Sequence, residues 1–277
     1  MLANNRDWID RYGDWAVVAG ASDGIGRAMA TELAARGVSL LLVSRRRDRL
    51  ETIAAELRER CVTQCRVVSA DLGAPGGVDA VMAAAAGLDV GTFVAAAGFG
   101  TSGSFIRNEI STELEMIDVN CRAMVALAHC FSRRFADRKR GAIVLMSSLL
   151  AFQGVPRASN YAATKAFVQT FAEGLRIELR PCGVDVIASA PGPVRSGFEA
   201  RANMRLGQAA DPSVVASQTL AALGRKATVR PGGLAKLLEA ALNPLPRSGR
   251  VRIMQAVMGG ITRHQNDGTE ANTAGSA

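Results

Sequence analysis

The chain has 277 residues, of which 48% are hydrophobic, so it can bury the core of one large α/β domain and is unlike a disordered chain. Its net charge of +8 includes short basic clusters at 45–49 and 133–140 without interleaved aromatic residues, and aromatic residues make up only 5% of the chain, which argues against a nucleic-acid-binding protein. The longest apolar runs, such as 90–97, are far shorter than the roughly 20 residues of a membrane-spanning helix, and the N-terminal MLANNRDWIDRYG has no apolar core, so we expect neither a transmembrane span nor a secretory signal.

Apolar runs of strand length alternate with helical patterns from residue 14 to about 190. The predicted strands are Trp15–Ala19, 38–43, 66–70, 90–97, 142–146 and 184–188. The predicted helices are 25–36, Arg47–Arg60, 111–138 and 159–180. Because the strands lack polar alternation, we expect them to be buried on both faces of a parallel sheet. The predicted fold is therefore α/β, a single doubly wound parallel sheet of the Rossmann type with helices on both faces.

The chain changes character after residue 230, where two short helical patterns at 232–242 and 251–261 suggest a helical C-terminal extension. We predict one domain at 1–263, with a substrate lid at about 195–213, a C-terminal helical segment at about 232–262 and a disordered polar tail at 264–277. The C-terminal segment could cover a pocket, form an oligomer contact or touch a membrane surface. The sequence does not separate these three roles.

The five cysteines, at positions 61, 65, 121, 130 and 182, fit neither a disulfide framework nor a metal site. Their number is odd, and the spacing of Cys61 and Cys65 matches no common zinc or redox motif. Only His129 and His264 are available for a histidine-based metal site or a Ser-His-Asp triad. We therefore predict reduced thiols, a cytoplasmic location and no metal.

A glycine-rich turn, AGASDGIG at 19–26, follows the first predicted strand and opens the first predicted helix. Gly20 permits a tight turn, Gly24 lets the backbone approach a pyrophosphate, and Gly26 lets the helix pack closely on the strand. The free N–H groups and the positive end of the helix dipole face the phosphates. In this strand–turn–helix context the motif predicts a dinucleotide site, whereas an ordinary strand-to-helix turn is the plain alternative.

Basic residues stand where an NAD-binding protein would place a carboxylate, at the end of the second strand. The chain has Ser44 and Arg45 there, followed by Arg46 and Arg47. A carboxylate repels a 2′-phosphate, whereas a guanidinium pairs with it in a bidentate manner. We therefore predict that Arg45 selects NADPH/NADP+, and we expect Arg46 and Arg47 to begin a solvated helix.

The segments GAIVLMSS (141–148) and YAATK (161–165) contain the most specific chemical pattern in the chain. Tyr161 and Lys165 are four residues apart on a predicted helix and share one face. A free tyrosine hydroxyl, with a pKa near ~10, exchanges protons poorly at neutral pH. A nearby ammonium and the positive nicotinamide of an oxidised cofactor both favour the phenolate, so they are expected to lower the pKa of Tyr161.

Together these motifs resemble the short-chain dehydrogenase/reductase family. The G-x3-G-x-G turn spacing and the Ser, Asn and Tyr-x3-Lys positions all match, and YGDWAVVAGASDGIGRAMA (12–30), including Asp23, is most similar to the branch of 3-oxoacyl-CoA reductases and 17β-hydroxysteroid dehydrogenases. The resemblance implies that Ser148 orients the substrate oxygen, with Ser147 as the neighbouring alternative, and that Asn120 helps position a water linking the lysine to solvent. Its predicted catalytic set is Ser148, Tyr161, Lys165 and Asn120.

The resemblance also implies a cofactor-binding set that lies mostly at the ends of the strands. Asp71 would accept a hydrogen bond from the adenine amino group and Leu72 would pack the ring, although a strand-end Asp can equally cap a helix. The backbone near Val194, in APGPVRS (190–196), would meet the nicotinamide carboxamide. The full predicted set is Gly20, Ser22, Asp23, Gly24, Ile25, Gly26, Ser44, Arg45, Asp71, Leu72, Ala97, Gly98, Tyr161, Lys165, Pro191, Gly192, Val194 and Ser196.

One segment departs from the family pattern. Where the family usually has N-N-A-G, the chain reads Ala95-Ala96-Ala97-Gly98. The missing amide side chains are expected to weaken a local hydrogen-bond network, while the small residues still allow close approach of a cofactor.

The resemblance implies NADPH-dependent reduction of a ketone or 3-oxoacyl group, with Tyr161 as the acid. NADP+-dependent oxidation of a hydroxysteroid or another secondary alcohol is the main alternative. An NADP-sensing protein without activity and an epimerase or dehydratase of the extended branch are less well matched.

The substrate is less defined than the chemistry. Phe198, Met204 and Leu206 in the lid suggest an apolar substrate, while Arg195, Arg201 and Arg205 could meet an acidic carrier or be solvated. Through the helices at 111–138 and 159–180, the resemblance also implies a homodimer or homotetramer.

Overall fold

The computed structural model describes residues 5–61, 63–205, 207–242 and 244–265. Within these ranges seven strands form one sheet, and every neighbouring pair is parallel. In chain order they are β1 (Trp15–Ala19), β2 (Ser39–Ser44), β3 (Cys65–Ser69), β4 (Val90–Ala95), β5 (Gly141–Met146), β6 (Val184–Ser189) and β7 (Thr228–Val229). The order across the sheet is β3-β2-β1-β4-β5-β6-β7. The strand order reverses between β1 and β4, and the carboxyl ends of the strands at such a reversal form a ligand crevice.

Helices cover both faces of the sheet. In chain order they are α1 (Asn5–Tyr12), α2 (Gly24–Ala34), α3 (Arg47–Arg60), α4 (Gly77–Ala84), α5 (Ile110–Ile117), α6 (Met124–Asp137), α7 (Ser159–Leu179), α8 (Phe198–Arg201), α9 (Pro212–Ala222), α10 (Gly233–Leu242) and α11 (Arg247–Ile261). One buried cluster joins the sheet to α2, α3 and α9, and another joins the opposite face to α4, α6 and α7. The doubly wound α/β fold predicted from the alternating pattern is therefore confirmed.

The core explains why the strands read as continuous apolar runs. Along β1, Ala16 and Val18 enter one cluster, while Trp15 and Val17 enter the other, so both faces of the strand are buried. Burying an aliphatic side chain of this kind contributes about 1.5–3 kcal/mol. A sheet buried on both sides leaves solvent access at the strand ends, where polar function can be placed.

The long helix predicted at 111–138 is interrupted. A π-helical turn at Asp118–Ala123 separates α5 from α6, and Asn120 lies within it. An extra residue in a helical turn shifts the direction of the side chains that follow, and such turns are frequent at functional sites. A 3.6-residue apolar period does not reveal a single inserted residue, so the pattern predicted one continuous helix.

The two ends of the chain pack on this framework. Helix α1, which the sequence analysis did not predict, is anchored by the Tyr12 hydroxyl, which donates to Asp185 Oδ2 at 2.8 Å. Helices α10 and α11 confirm the helical C-terminal extension. The tail predicted to be disordered begins too early, because Gln265 Nε2 donates to Ser102 Oγ at 2.8 Å and to the Asn203 carbonyl at 2.7 Å. The rest of that tail, 266–277, lies outside the described residues.

Two smaller findings complete the fold. The two-residue strand β7 pairs with the end of β6 and was too short for the sequence pattern to show. In the described part of the chain, none of the helices combines the length and apolar character needed to cross a membrane.

Candidate active site

One continuous cleft of about 690 Å³ lies at the carboxyl ends of the central strands. Every residue of the predicted cofactor-binding set lines it, as do Ser148, Tyr161 and Lys165 from the predicted catalytic set. Asn120, the fourth predicted catalytic residue, is 2% exposed and is not part of the cleft wall. The fold therefore brings together side chains that are more than a hundred residues apart in the sequence.

The glycine turn between β1 and α2 is shaped for close approach. Gly20 has a φ of +86°, and a Cβ atom there would lie 2.5 Å from the Ala97 nitrogen. Gly24 has a φ of +50°, and a Cβ there would lie 2.7 Å from the Ser196 Cβ. Asp23 caps α2 through Oδ1, which accepts a hydrogen bond of 2.7 Å from the Gly24 nitrogen. The turn presents the N-terminus of an 11-residue helix to the cleft, an arrangement suited to phosphate groups.

Two arginines border the cleft beyond β2. Arg45 Nη1 lies 3.1 Å from Glu115 Oε1 and 3.7 Å from Asp71 Oδ2. Arg46 donates to Ser22 Oγ from Nη2 at 2.9 Å and from Nε at 3.3 Å. Both guanidinium groups can therefore meet an anion between the glycine turn and the end of β3.

The prediction that Arg46 begins a solvated helix holds for its exposure and for its place before α3, but it missed the contact of its side chain with the glycine turn. Arg46 precedes α3 with φ −93° and ψ 84°, a conformation outside the helix, and its side chain returns to Ser22 in the glycine turn. Arg47, in contrast, is 67% exposed and pairs with Glu51 within α3, as expected of a solvated helix residue. Periodicity assigned both arginines to a helix, but the backbone at the corner decides where each side chain points.

Asp71 lies at the end of β3, as its position in the sequence implies. Its Oδ1 accepts a hydrogen bond of 3.0 Å from the Gly73 nitrogen, and it lines the cleft. Helix α4 begins later, at Gly77, with Gly76 at its cap position. Asp71 therefore does not cap that helix, which removes the alternative left open by the sequence.

The two serines after β5 have different surroundings. Ser147 also lines the cleft, but its Oγ is engaged in a hydrogen bond of 3.1 Å to the Lys165 carbonyl. Ser148 Oγ accepts a hydrogen bond of 3.2 Å from the Leu150 nitrogen, and its hydroxyl lies near enough to the Tyr161 hydroxyl to lower the pKa of that group. Ser148 is thus the serine whose hydroxyl faces Tyr161 in the cleft.

Lys165 lies one helical turn beyond Tyr161 on α7. Its Nζ donates to the Met146 carbonyl at 2.9 Å and lies 5.8 Å from the centroid of the Tyr161 ring. Burial lowers the pKa of Lys165 to about 8, although the neighbouring Cys121 raises it slightly. The ammonium is held by one carbonyl and lies beside the tyrosine ring, as expected from the four-residue spacing in the sequence.

The protonation of Tyr161 is governed by its burial. Burial raises the pKa of the Tyr161 hydroxyl to about 12, and the hydrogen bond with Ser148 lowers it only in part. We expected Lys165 and an oxidised cofactor to lower this pKa, but in the protein alone burial is the largest effect and Ser148, not Lys165, is the group that lowers it. At neutral pH Tyr161 is therefore a neutral phenol with a proton to donate. The effect of the cofactor charge stays a prediction.

Asn120 connects the π-helical turn to the end of β4. Its Oδ1 accepts from the Phe99 nitrogen at 3.1 Å, and its Nδ2 donates to the Phe99 carbonyl at 2.9 Å. The same Nδ2 lies 3.1 Å from Thr164 Oγ1, next to Lys165. The amide thus fixes the loop after β4 against α7, and the extra residue of the π turn brings it there.

The segment predicted to be a lid and the C-terminal helices line an apolar end of the cleft. The Phe198 ring on α8 lies 5.3 Å from the Tyr161 ring, centroid to centroid. Other apolar residues of this end are Phe99, Leu149, Leu150, Met204, Leu242, Ile253, Met254, Val257, Met258 and Ile261. Residues of the C-terminal helices line the cleft, which is compatible with the pocket-covering role, and the role of this segment stays a prediction. Leu206, the third apolar lid residue singled out in the sequence, lies outside the described residues.

The lid arginines differ from one another. Arg195 is 68% exposed and pairs with Asp211 at 2.9 Å, so it is a solvated residue. Arg201 turns inward, where its guanidinium carbon lies 3.6 Å from the Phe99 ring centroid. Its Nη2 also donates to Glu115 Oε1 at 3.1 Å. Sequence reasoning missed Glu115 and Phe99 because neither belongs to a motif.

The residues present fit a dinucleotide. The close approach at Gly20 and Gly24, the helix N-terminus and the two arginines form a cradle along one side of the cleft. The Ser148 and Tyr161 hydroxyls lie on the same cleft wall, beside its apolar end. Such a cleft can hold a dinucleotide beside an apolar substrate and protonate an oxygen of that substrate.

Comparisons with known proteins agree with this geometry. The family model described as short chain dehydrogenase matches residues 14–206. A 7β-hydroxysteroid dehydrogenase from Collinsella aerofaciens is 33% identical over 177 residues, 64% of this chain and 67% of that protein. The 17-beta-hydroxysteroid dehydrogenase type 3 of Mus musculus is 32% identical over 78% of this chain and 72% of its own length. The very-long-chain 3-oxoacyl-CoA reductase-B of Danio rerio is 32% identical over 65% of this chain and 59% of its own length.

Solved structures extend the similarity to the fold. A structure from work on 7β-hydroxysteroid dehydrogenase stereoselectivity superposes with a TM-score of 0.81 at 28% identity, covering 89% of this chain and 98% of the other. A short-chain dehydrogenase from Sphingobium yanoikuyae, in complex with NADPH, has a TM-score of 0.77 at 30% identity, covering 83% of this chain and 92% of the other. The family model, these relatives and the shared fold show that the chain is an oxidoreductase of the short-chain dehydrogenase/reductase family.

Proposed function

We propose that the chain is an NADPH-dependent reductase that converts a bulky, apolar ketone or 3-oxoacyl group into an alcohol. The observation that carries this proposal is the pair of hydroxyls, Ser148 and Tyr161, held beside Lys165 in a cleft that runs from the glycine turn to an apolar end. Family membership supports the reaction class, and the cleft supports the kind of substrate.

NADPH is the hydride donor in this proposal. When bound, it supplies a hydride to the carbonyl carbon. The glycine turn and the N-terminus of α2 would hold its pyrophosphate, and Arg45 and Arg46 would pair with its 2′-phosphate. The NADPH complex of the similar Sphingobium yanoikuyae enzyme supports this choice.

Tyr161 donates the proton to the substrate oxygen. Its raised pKa keeps the hydroxyl protonated until the carbonyl oxygen gains negative charge, and Ser148 holds that oxygen by a second hydrogen bond. The phenolate left on Tyr161 is then stabilised by the Lys165 ammonium beside it. Asn120 keeps the loop after β4 in register with the lysine through Phe99 and Thr164.

The end of the cleft beyond Tyr161 is lined by apolar side chains, so the proposed substrate is apolar. Met204, Met254 and Met258 are buried there, and Phe198 covers the tyrosine ring. Methionine side chains adapt to irregular shapes, so the pocket suits a bulky ketone better than a small polar one. The names of the relatives, hydroxysteroid dehydrogenases and 3-oxoacyl-CoA reductases, support ring-shaped or long-chain substrates.

Reduction is the proposed direction because NADPH is the proposed hydride donor and Tyr161, a neutral phenol in the protein alone, can protonate a carbonyl oxygen. NADP+-dependent oxidation of a hydroxysteroid is the reverse reaction at the same groups and is the alternative. A homodimer or homotetramer stays a prediction, consistent with the exposed Ile110, Leu114 and Ile117 on α5 and Phe167 on α7. A cytoplasmic location also stays a prediction.

The test is NADPH consumption with a panel of steroid ketones, 3-oxoacyl thioesters and small ketones, comparing Tyr161→Phe with the wild type. Removing this acid should lower turnover by roughly 10²–10⁴-fold while the Kd for NADPH, measured by fluorescence titration, changes little. Tyr12→Phe is the matched control, because it removes the same atom from a tyrosine bound to Asp185 outside the cleft. Undiminished turnover in Tyr161→Phe would show that another group donates the proton. A wild type that binds NADPH but reduces none of the panel would favour a sensing role.

A further inference from the structure

A single carboxylate oxygen contacts both the proposed 2′-phosphate site and the lid, which have separate roles in the proposed reaction. Glu115 Oε1, on α5, lies 3.1 Å from Arg45 Nη1 and 3.1 Å from Arg201 Nη2. Arg45 belongs to the proposed 2′-phosphate site, whereas Arg201 belongs to α8 in the lid. Asp71 Oδ2, at 3.7 Å, is a second anionic neighbour of Arg45.

Arg201 joins the lid to Glu115 and to the loop after β4. Its guanidinium carbon lies 3.6 Å from the centroid of the Phe99 ring, and the Phe99 backbone is bound by the Asn120 amide. Helix α8 also carries Phe198, whose ring packs on Tyr161. The position of Arg201 is therefore tied to the closure of the lid over the tyrosine.

The two arginines oppose one another at the shared carboxylate. The Arg45 charge lowers the pKa of Arg201, after the larger effect of burial, while Glu115 and Asp71 raise it. Two guanidinium groups on one oxygen repel each other, so each weakens the hold of Glu115 on the other. A 2′-phosphate bound at Arg45 would neutralise the Arg45 charge, so the Glu115 carboxylate could then pair with Arg201 alone.

We propose that Glu115 is a positioning residue that couples occupation of the 2′-phosphate site at Arg45 to closure of the lid through Arg201. This inference rests on the proposed function, because it takes Arg45 as a phosphate ligand. It adds that the 2′-phosphate does more than select the cofactor. The phosphate also favours the closed lid before any group reaches the far end of the cleft.

The experiment compares two ligands that differ by the phosphate and reach only the adenosine side of the cleft. Amide hydrogen exchange of the full chain is measured in 197–205 and 20–26 with saturating 2′,5′-ADP or with saturating 5′-AMP. In the wild type we expect 2′,5′-ADP to slow exchange in 197–205 roughly two- to fivefold more than 5′-AMP, the range of partly exposed ion pairs. Glu115→Gln and Arg201→Gln should remove this difference while both ligands still protect 20–26.

Asp118→Asn is the matched control. Asp118 follows shortly after Glu115 and pairs with Arg122 at 3.0 Å, away from the lid, so this variant should keep the wild-type difference. A variant with a merely weakened fold would exchange faster with both ligands, whereas the inference requires loss of the difference between them.

The outcomes separate the two proposals. Protection of 20–26 by both ligands with equal exchange in 197–205 would overturn the coupling and leave the proposed function intact. Persistence of the difference in Glu115→Gln would overturn the role of this carboxylate. If 2′,5′-ADP fails to protect 20–26, the proposed cofactor site is wrong and the coupling falls with it.

Discussion

The buried Lys165 ammonium is expected to lower the free energy of unfolding by a measurable amount. Its side chain is 7% exposed, and burial moves its pKa from 10.5 to about 8. Because the folded protein binds this proton more weakly than the unfolded chain, the charged lysine destabilises the fold below pH 8 by about 3 kcal/mol. The unfolded chain binds more protons than the folded one between pH 8 and 10.5, so this cost disappears as the pH rises.

Replacing Lys165 by Met should therefore change stability in a pH-dependent way. At pH 7 the substitution removes the cost of about 3 kcal/mol but leaves the Met146 carbonyl without its donor, a loss of about 1–3 kcal/mol. At pH 7 the free energy of unfolding of the variant is expected to equal or exceed that of the wild type, whereas at pH 10 the variant is expected to be less stable. Between the two pH values, the stability of the variant relative to the wild type should fall by roughly 2–3 kcal/mol. Its reductase activity should be strongly reduced.

Urea unfolding of the ligand-free protein, followed by tryptophan fluorescence between pH 7 and 10, measures this difference. Other titrations are common to both proteins and cancel in the comparison. Lys226→Met, at an exposed lysine, should show a difference that is flat with pH. A Lys165→Met variant whose loss of stability is the same at pH 7 and pH 10 would refute the reasoning, because the buried ammonium would then carry no cost.

Further predictions concern the arginines after β2 and the space under the lid. Arg46→Ala should raise the KM for NADPH relative to the KM for NADH by roughly 10–100-fold, the loss expected for hydrogen bonds to a charged group. Arg45→Asp should abolish the preference for NADPH. Arg47→Ala should leave the ratio of the two KM values unchanged. Equal effects of all three would show that only general charge matters. Gly100→Ala places a Cβ 2.8 Å from Phe198 Cζ and 3.0 Å from Tyr161 Cδ2, so it should raise the KM for the ketone while the Kd for NADPH is unchanged. Gly174→Ala, with no neighbour within 4 Å, is its control, and an unaltered KM in Gly100→Ala would mean that the lid ring does not rest on the tyrosine during turnover.

The fold and the central chemistry were accessible from the sequence because they depend on local spacing. Continuous apolar strands require a sheet buried on both faces, and a four-residue separation places Tyr161 and Lys165 on one side of a helix. The separation of thirteen residues between Ser148 and Tyr161 favoured that serine over Ser147. The structure shows the physical difference, since the Ser147 hydroxyl is committed to the Lys165 carbonyl.

What the sequence did not reveal depends on contacts between distant segments. Arg46 and Arg47 have the same chemistry and adjacent positions, yet only the corner before α3 turns one of them toward Ser22. Glu115 and Arg201 are 86 residues apart and meet only because the lid folds back over α5. The π-helical turn at Asn120 adds one residue to an apolar period that tolerates it.

The alanines at the end of β4 show how the departure from the family pattern is accommodated. The backbone there is held by main-chain pairing, because the Ala96 nitrogen donates to the Ala19 carbonyl at 2.9 Å. Three residues later the Asn120 amide binds both the nitrogen and the carbonyl of Phe99, so the loop is fixed from the π turn rather than by amides of its own. The same backbone lies close to the glycine turn, since a Cβ at Gly20 would lie 2.5 Å from the Ala97 nitrogen. The loop that lacks the family's asparagines is therefore held by Asn120 of the π-helical turn, which also donates to Thr164 beside Lys165 on α7.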